Sequence, residues 1–200
     1  QQQLAHTDFP LGRFESKEQV RSLARDYGFV NAKKHDSQDI CFVQNESYGD
    51  FIERYAGLKF PEGDFVDQNG NVLGRHKGLI RYTVGQRKGL GLSLPAPLYV
   101  KGKDMEHNRV ILSPEDGLYT KTVVANDFNF VSGEPFSKPV RVTAKPRYRA
   151  KEAPAAAEVL PDGTVKIVFD EPQRAVTTGQ AIVLYDGDEV MGGGTIISTE

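Results

Sequence analysis

Two segments near the start of the chain carry apolar residues at helical spacing. In the first, the residues that recur every three or four positions are Val20, Leu23, Ala24 and Tyr27. Ser16 stands before them as an N-cap, Gln19 is placed to complete a capping box, and Gly28 is placed to end the helix. The same signals repeat more briefly between Ser47 and Gly57. The pattern therefore predicts two short helices.

The signals change to β-strands from residue 62 onward. Residues 62–67 lead into an Asn-Gly turn at 68–71, which tolerates positive φ at both central positions, and residues 72–74 return as the second strand of a hairpin. Residues 78–91 are predicted as a strand that runs into a glycine-rich basic loop. A second pair of strands is predicted at residues 98–101 and 109–112. We expect a small antiparallel unit here.

The rest of the chain has an all-β pattern. Short β-rich runs occur at 123–124, 128–131, 140–143, 165–169, 181–185 and 195–197. Turn signals separate them at 133–135, 161–163, 170–172 and 186–188. Regular short strands without helical periodicity predict a small closed barrel of about 80 residues. The Ala-rich segment 153–157 is interpreted as a variable edge, and the three glycines at 192–194 as a bulge or a close backbone approach.

Composition narrows the classes of function. A single cysteine excludes an internal disulfide and indicates a reducing compartment, by default the cytoplasm, so any disulfide would need a cysteine outside this chain. No apolar run reaches the roughly 18 residues of a membrane span. The four histidines are too far apart for a metal motif, and we expect no metal site. Because the net charge is only -2, nucleic-acid binding would depend on local basic patches.

Cys41 is the first candidate for chemistry. It follows Lys33 and Lys34, which would lower the pKa of a thiol and favour the nucleophilic thiolate, whereas Asp36 and Asp39 would act in the opposite direction. The alternative is a small buried apolar residue before Phe-Val. No Ser/His/Asp order, Walker loop or paired-carboxylate motif accompanies it in the sequence. The residues alone therefore leave both interpretations open.

Three basic stretches are candidates for contact with nucleic acid: 33–34, 87–88 and 145–149. In a strand, Arg147 and Arg149 would share one face and Tyr148 would lie on the other, and Arg can bind phosphate while an aromatic ring stacks on a base. A charged, solvated strand edge is the alternative. Gly179 permits a tight turn that could present the amide of Gln180, which could equally be an ordinary surface residue.

An ordered set of motifs covers nearly the whole chain. It consists of FPLG at 9–12, AKKxDSxxICF at 32–42, GL at 78–79 with TxGQRKGLG at 83–91, YVxxKD at 99–104, AKxRYR at 144–149, EPQRAVTxGQ at 171–180 and GGG at 192–194. In this order and spacing the chain resembles the family of bacterial tRNA-specific 2-thiouridylases. Three positions depart from the family pattern: Thr178 in place of Pro, Ala150 in place of Gln, and Leu98 in place of an aromatic residue.

The resemblance implies a three-part enzyme of which this chain holds the second and third parts. We expect an α+β, mainly β fold: a short helical segment at 1–45 that is the tail of an ATP-pyrophosphatase domain, a small central β-rich domain at 46–115, and at 116–200 a β-barrel of six-stranded type resembling those of translation factors. The nucleotide-binding loop of the family is not in this sequence. The chain alone is therefore expected to bind neither ATP nor Mg²⁺ and to be inactive.

The resemblance also implies roles for individual residues. Cys41 would accept sulfur from a relay protein as a persulfide, and ATP would activate C2 of the wobble uridine. Arg147, Tyr148 and Gln180 would contact the anticodon arm of the tRNA by motif position. The basic side chains added on charge alone are Lys33, Lys34, Arg87 and Lys88. The protein is expected to act as a cytoplasmic monomer without a membrane partner.

Two other functions stay open at this point. The first is a non-catalytic RNA-binding β-barrel module of translation-factor type, in which Cys41 is merely buried; an unreactive thiol would favour it. The second is a structural interaction protein, which would show no salt-sensitive binding of tRNA.

Overall fold

In the computed structural model of the protein, residues 2–34, 43 and 46–200 are described, and the chain divides into two compact units, Gln1–Phe51 and Ile52–Glu200. Cys41 and the rest of the segment 35–42 lie outside the described residues. Within the described part, no helix is long and apolar enough to cross a membrane.

Two of the helices occur where capping predicts them, and two shorter ones near the start of the chain were not predicted. They are α1 (Gln2–Ala5), α2 (Lys17–Asp26) and α3 (Tyr48–Ala56), with a 3₁₀ helix at Pro10–Arg13. The N–H of Gln19 donates to Ser16 Oγ at 3.3 Å, and Gly28 follows α2 with φ of 70°. The N–H of Asp50 donates in the same way to Ser47 Oγ at 3.2 Å. Both predicted helices are confirmed.

A four-stranded sheet forms the first part of the second unit. Its strands are β1 (Gly63–Val66), β2 (Val72–His76), β3 (Tyr99–Asp104) and β4 (Arg109–Ser113), in the order β2-β1-β4-β3. The two antiparallel pairs, β1 with β2 and β3 with β4, are the predicted hairpins. They are joined by a parallel pairing of β1 with β4, which the sequence pattern did not indicate.

The core of this sheet surrounds Phe65, which is fully buried. Its other buried apolar members are Leu79, Tyr82, Leu90, Val100, Val110 and Leu112. The ring of His76 is buried among them and joins two loops, since Gly78 N–H donates to its Nδ1 at 3.0 Å and its Nε2 lies 3.1 Å from the carbonyl oxygen of Asn108. Because Nδ1 accepts from Gly78 N–H, the ring carries its proton on Nε2, which donates to the carbonyl oxygen of Asn108.

One expectation for this sheet is wrong. Residues 78–84 are not a strand; they contain a 3₁₀ helix at Leu79–Arg81. Leu79 and Tyr82 are both buried, and a separation of three residues places them on one face of a 3₁₀ turn but on opposite faces of a strand. In the turn at 68–71, Gly70 has φ of 85°, whereas Asn69 does not have positive φ.

The side chain of Asp67 stabilises the turn between β1 and β2. Asp67 Oδ1 accepts from the N–H of Asn69 at 2.8 Å and of Asn71 at 2.9 Å. A further bond from the side chain of Asn71 is the main cause of a pKa of Asp67 below its usual value. The turn therefore depends on a carboxylate that binds backbone amides.

A closed six-stranded barrel forms the rest of the second unit. Its strands are β5 (Tyr119–Phe130), β6 (Val140–Lys145), β7 (Ala153–Val159), β8 (Val165–Arg174), β9 (Ala181–Asp186) and β10 (Glu189–Thr199). They pair antiparallel in the order β10-β5-β8-β7-β6-β9, and β9 closes on β10. The expected α+β, mainly β fold with a C-terminal barrel is confirmed.

The strand assignment in the barrel needs three corrections. The run 123–124 and all but the last residue of the run 128–131 belong to one strand, β5, and the predicted turn at 170–172 lies inside β8. The Ala-rich segment is not a variable edge, because it forms β7, which pairs on both sides with β6 and β8. Ala155 and Ala157 are buried in the core, where the narrow interior of a six-stranded barrel favours small side chains.

The close backbone approach expected at the three consecutive glycines is confirmed. They lie in β10, whose register shifts between Gly193 and Thr195. A Cβ on Gly193 would lie 2.8 Å from the carbonyl oxygen of Ile182, and one on Gly194 would lie 2.8 Å from the ring of Phe128. These positions are therefore restricted to glycine by packing.

Candidate nucleic-acid interface

The Arg-Tyr-Arg segment forms a turn on the barrel surface. Strand β6 ends at Lys145, and the N–H of Ala150 donates to the carbonyl oxygen of Arg147 at 3.0 Å, so 147–149 do not continue the strand. The expectation that the two arginines share one strand face is wrong. All three side chains are exposed, Tyr148 by 93%. An exposed aromatic ring between two arginines can stack on an unpaired base while the guanidinium groups bind phosphates.

Gln180 lies in the segment between β8 and β9, at the expected tight turn. Gly179 has φ of 81° and donates its N–H to the carbonyl oxygen of Ile196 at 2.8 Å, and the N–H of Ile196 donates to the carbonyl oxygen of Gln180 at 2.8 Å. Strand β10 therefore holds the backbone on both sides of the turn. The side chain of Gln180 is exposed, and its amide can donate to or accept from a base.

Arg87 and Lys88 are exposed in the loop at 83–91. This loop is fixed by Gln86, whose Oε1 accepts from the N–H of Thr83 at 3.0 Å and whose Nε2 donates to the carbonyl oxygen of Lys88 at 3.0 Å. The N–H of Val100 donates to the carbonyl oxygen of Gln86 at 2.9 Å and ties the loop to β3. Sequence reasoning missed this role of Gln86.

The other two lysines predicted to contact tRNA belong to the first unit. Lys33 and Lys34 are exposed in a turn, in which the N–H of Lys34 donates to the carbonyl oxygen of Asn31 at 2.9 Å. The catalytic assignment of Cys41 concerns a residue outside the described ones and stays a prediction. Among the described residues no group of three or more His, Cys, Asp or Glu side chains could hold a metal ion.

Arg174, at the end of β8, joins the sheet to the barrel. Its Nε donates to Glu115 Oε1 at 3.0 Å, and its guanidinium carbon lies 5.4 Å from the centroid of the Tyr99 ring. The next residue, Ala175, is buried, has φ of 53° and donates its N–H to the carbonyl oxygen of Leu118 at 2.8 Å. A non-glycine residue with positive φ is uncommon and shows that the backbone is constrained here.

The junction between sheet and barrel, formed at Arg174 and Ala175, also contacts the basic loop at 83–91. A Cβ on Gly85 would lie 3.0 Å from the Cβ of Ala175, and Gly85 N–H donates to the carbonyl oxygen of Val100 at 2.7 Å. The close packing of Gly85 against Ala175 therefore fixes the position of the loop that carries Arg87 relative to the segment that leads to Gln180. Gly85 and Ala175 each belong to a motif, but nothing in the sequence indicates that they touch.

The junction can be tested by adding one methyl group. Gly85→Ala is expected to lower the free energy of unfolding by about 2–3 kcal/mol, because Gly85 has φ of 86° and the new Cβ would crowd Ala175. The control is Gly91→Ala. Gly91 has φ of 72°, but no atom lies within 4 Å of the added Cβ. This variant should lose only the stability that depends on backbone conformation, about 1 kcal/mol. Urea unfolding gives both values, and equal losses would contradict close packing at Gly85.

Comparison with known proteins shows which family the chain matches. Three family models match: the tRNA methyl transferase HUP domain at residues 1–45, the tRNA methyl transferase PRC-barrel domain at 49–114 and the aminomethyltransferase beta-barrel domain at 120–196. The tRNA-specific 2-thiouridylase MnmA of Acetivibrio thermocellus is 53% identical over 98% of the chain. The chain belongs to the tRNA-specific 2-thiouridylase family.

Two further members of the tRNA-specific 2-thiouridylase family show how much of the relatives the chain covers. The MnmA of Clostridioides difficile is 45% identical over 98% of the chain, and that of Halothermothrix orenii is 48% identical over 97%. In these two and in the Acetivibrio protein the match covers 54% of the relative. The chain therefore spans about half the length of the relatives it matches.

Proposed function

We propose that this chain is the tRNA-binding and sulfur-carrying part of an enzyme that thiolates C2 of the wobble uridine of tRNA. The observation that carries the proposal is the match to proteins named tRNA-specific 2-thiouridylase over 98% of the chain, including the segment of Cys41. The exposed Arg-Tyr-Arg turn adds independent support, because its chemistry suits an unpaired RNA base. The division at 1–45, 46–115 and 116–200 is part of the same proposal.

In the proposed reaction, ATP converts the C2 oxygen of uridine, a poor leaving group, into one that departs as AMP. ATP, with Mg²⁺, would be bound by an ATP-pyrophosphatase domain. Residues 1–45, which match a HUP domain model, would be the tail of that domain. A relay protein would deliver sulfur to Cys41 as a persulfide. In the direct route the terminal sulfur attacks C2 and displaces AMP; a second cysteine then attacks Cys41 Sγ, which breaks the S–S bond to the uridine sulfur and leaves a disulfide with Cys41. In the alternative route the second cysteine attacks Cys41 Sγ first, forms the disulfide and expels hydrosulfide, which then attacks C2 and displaces AMP.

The tRNA would lie on the exposed cationic and aromatic side chains. Those proposed from motif position are Arg147, Tyr148 and Gln180, and those proposed from charge are Lys33, Lys34, Arg87 and Lys88. The enzyme would act as a monomer in the cytoplasm. Its activity is tested by incubating the full-length protein with a tRNA transcript, ATP and a sulfur donor, and by measuring 2-thiouridine by mass spectrometry. ATP-dependent formation is expected; tRNA binding without thiolation would favour the RNA-binding module instead.

Arg147→Gln tests the binding surface. We expect tRNA affinity to fall and the slope of log K against log salt concentration to become smaller by about 1, because one phosphate contact is lost. Binding is measured by fluorescence anisotropy over a series of salt concentrations. Arg147→Lys keeps the charge and should keep the slope. An unchanged slope in the Gln variant would remove Arg147 from the interface.

A further inference from the structure

A groove with a volume of about 490 Å³ lies between the four-stranded sheet and the barrel. Its sheet side includes Thr83 and two residues of β3, Lys101 and Lys103, and its barrel side includes Thr177 and Thr178. The groove thus joins the beginning of the loop that carries Arg87 to the segment that ends at Gln180. Neither lysine is among the residues assigned to tRNA above.

The charges in this groove have one sign. Lys101 and Lys103 are its charged residues, and among the described residues no carboxylate lines it. Lys101 Nζ donates to Gln68 Oε1 at 2.6 Å, a neutral partner that leaves the positive charge uncompensated. Lys103 is exposed and forms no ion pair within the described part of the chain, and partial desolvation by the surrounding protein lowers the pKa of its amine. An anion in the groove would relieve this cost of desolvation.

The backbone directs both lysines to the same place. Residues Val100 and Gly102 of β3 pair with the consecutive residues Leu112 and Ile111 of β4, so that Lys101 is the extra residue of a β-bulge. Bulges change the direction of side chains and occur often beside functional sites. Thr83 and Thr178, which are exposed, add hydroxyl donors from the two walls.

The walls of the groove are held in position by the contacts at the junction. Arg174 bonds to Glu115 and lies over the ring of Tyr99, and Thr177 Oγ1 donates to the carbonyl oxygen of Ala175 at 3.2 Å. The two walls therefore form a preorganised surface and need little rearrangement to bind a ligand.

From these observations we infer that the groove binds a phosphate of the RNA backbone, with Lys103 and Lys101 as its cationic ligands and Thr83 and Thr178 as hydroxyl donors. The inference rests on the proposed function, because it places the backbone of the same tRNA between Gln180 and the Arg87 loop. An extended polyanion suits this position, since the groove connects two exposed segments that could each contact neighbouring nucleotides. A free phosphate or nucleotide could bind the same lysine and threonine side chains, but it would not contact the two exposed segments outside the groove.

The test compares Lys103→Gln with two matched variants in the full-length protein, with tRNA as the probe. Lys103→Gln should weaken tRNA binding about tenfold, as expected for the loss of one hydrogen bond to a charged group, and reduce the salt slope by about 1. Lys103→Arg should keep the slope. Lys138→Gln removes the same charge from an exposed position in the loop between β5 and β6 and should change neither quantity. Thermal unfolding confirms that all variants fold.

A second measurement identifies the source of the phosphate. Acetylation of lysines by acetic anhydride, read by mass spectrometry, should be suppressed at Lys103 and Lys101 by tRNA but not by millimolar inorganic phosphate or ATP. Protection by phosphate or ATP without protection by tRNA would overturn the inference in favour of a small-molecule site. An unchanged slope in Lys103→Gln, with normal tRNA binding by the wild type, would overturn the inference alone. Absence of salt-dependent tRNA binding by the wild type would instead overturn the proposed function.

Discussion

Cys41→Ser in the full-length protein is expected to reduce tRNA thiolation by at least about a thousandfold, the scale of loss seen when a covalent nucleophile is removed. A serine hydroxyl cannot accept sulfur as a persulfide, and with a much higher pKa it would not be ionised near neutral pH. The affinity for tRNA should stay unchanged, because the proposed contacts of the barrel and the central sheet do not involve the thiol. Mass spectrometry of the nucleosides measures the product, and anisotropy measures the affinity.

A second substitution separates chemistry from packing at this position. Cys41→Ala should be as inactive as the Ser variant if the thiol carries sulfur. If Cys41 is only a small buried apolar residue, Ala should be tolerated better than Ser and both variants should keep their activity. In the wild type, incubation with the sulfur donor should add one sulfur to the peptide that contains Cys41. Normal thiolation by Cys41→Ser would reject the catalytic assignment.

Local signals in the sequence were sufficient for much of the fold. The side chains of Ser16 and Ser47 cap the two helices as the spacing predicted, and both hairpins of the central sheet form. Such features depend on residues a few positions apart, so their physical causes can be read directly from the sequence. The short β-rich runs separated by turn signals likewise predicted the closed barrel.

Features that depend on distant residues could not be predicted in this way. Strand β7 was missed because alanine has a low intrinsic preference for strands, and only the closed barrel explains why small side chains are needed there. The parallel pairing of β1 with β4 joins segments that are separated by more than 40 residues, as does the contact of Arg174 with Tyr99. The two exposed arginines were recognised, but the groove beside Lys103 exists only once sheet and barrel pack together.

His76→Ala is expected to lower the free energy of unfolding of the second unit by about 3–5 kcal/mol. The fully buried ring packs edge-on against Phe65 and Tyr82, with centroids 5.7 and 5.8 Å away, so that its removal leaves a cavity. It also leaves Gly78 N–H and the carbonyl oxygen of Asn108 without their partner, and each buried polar group left unpaired costs about 1–3 kcal/mol.

His107→Ala provides the matched control for this prediction. His107 is an exposed histidine whose Nδ1 bonds to Asp104 Oδ2 at 2.8 Å on the surface, and its loss should cost about 1 kcal/mol or less. Because the chain has no tryptophan, urea unfolding is followed by circular dichroism and tyrosine fluorescence. Equal losses in the two variants would show that the His76 ring does not hold the loops together. A selective loss in His76→Ala would establish that the buried His76 ring joins β2 to the turn before β4, and thereby supports the sheet on which Lys101 and Lys103 lie.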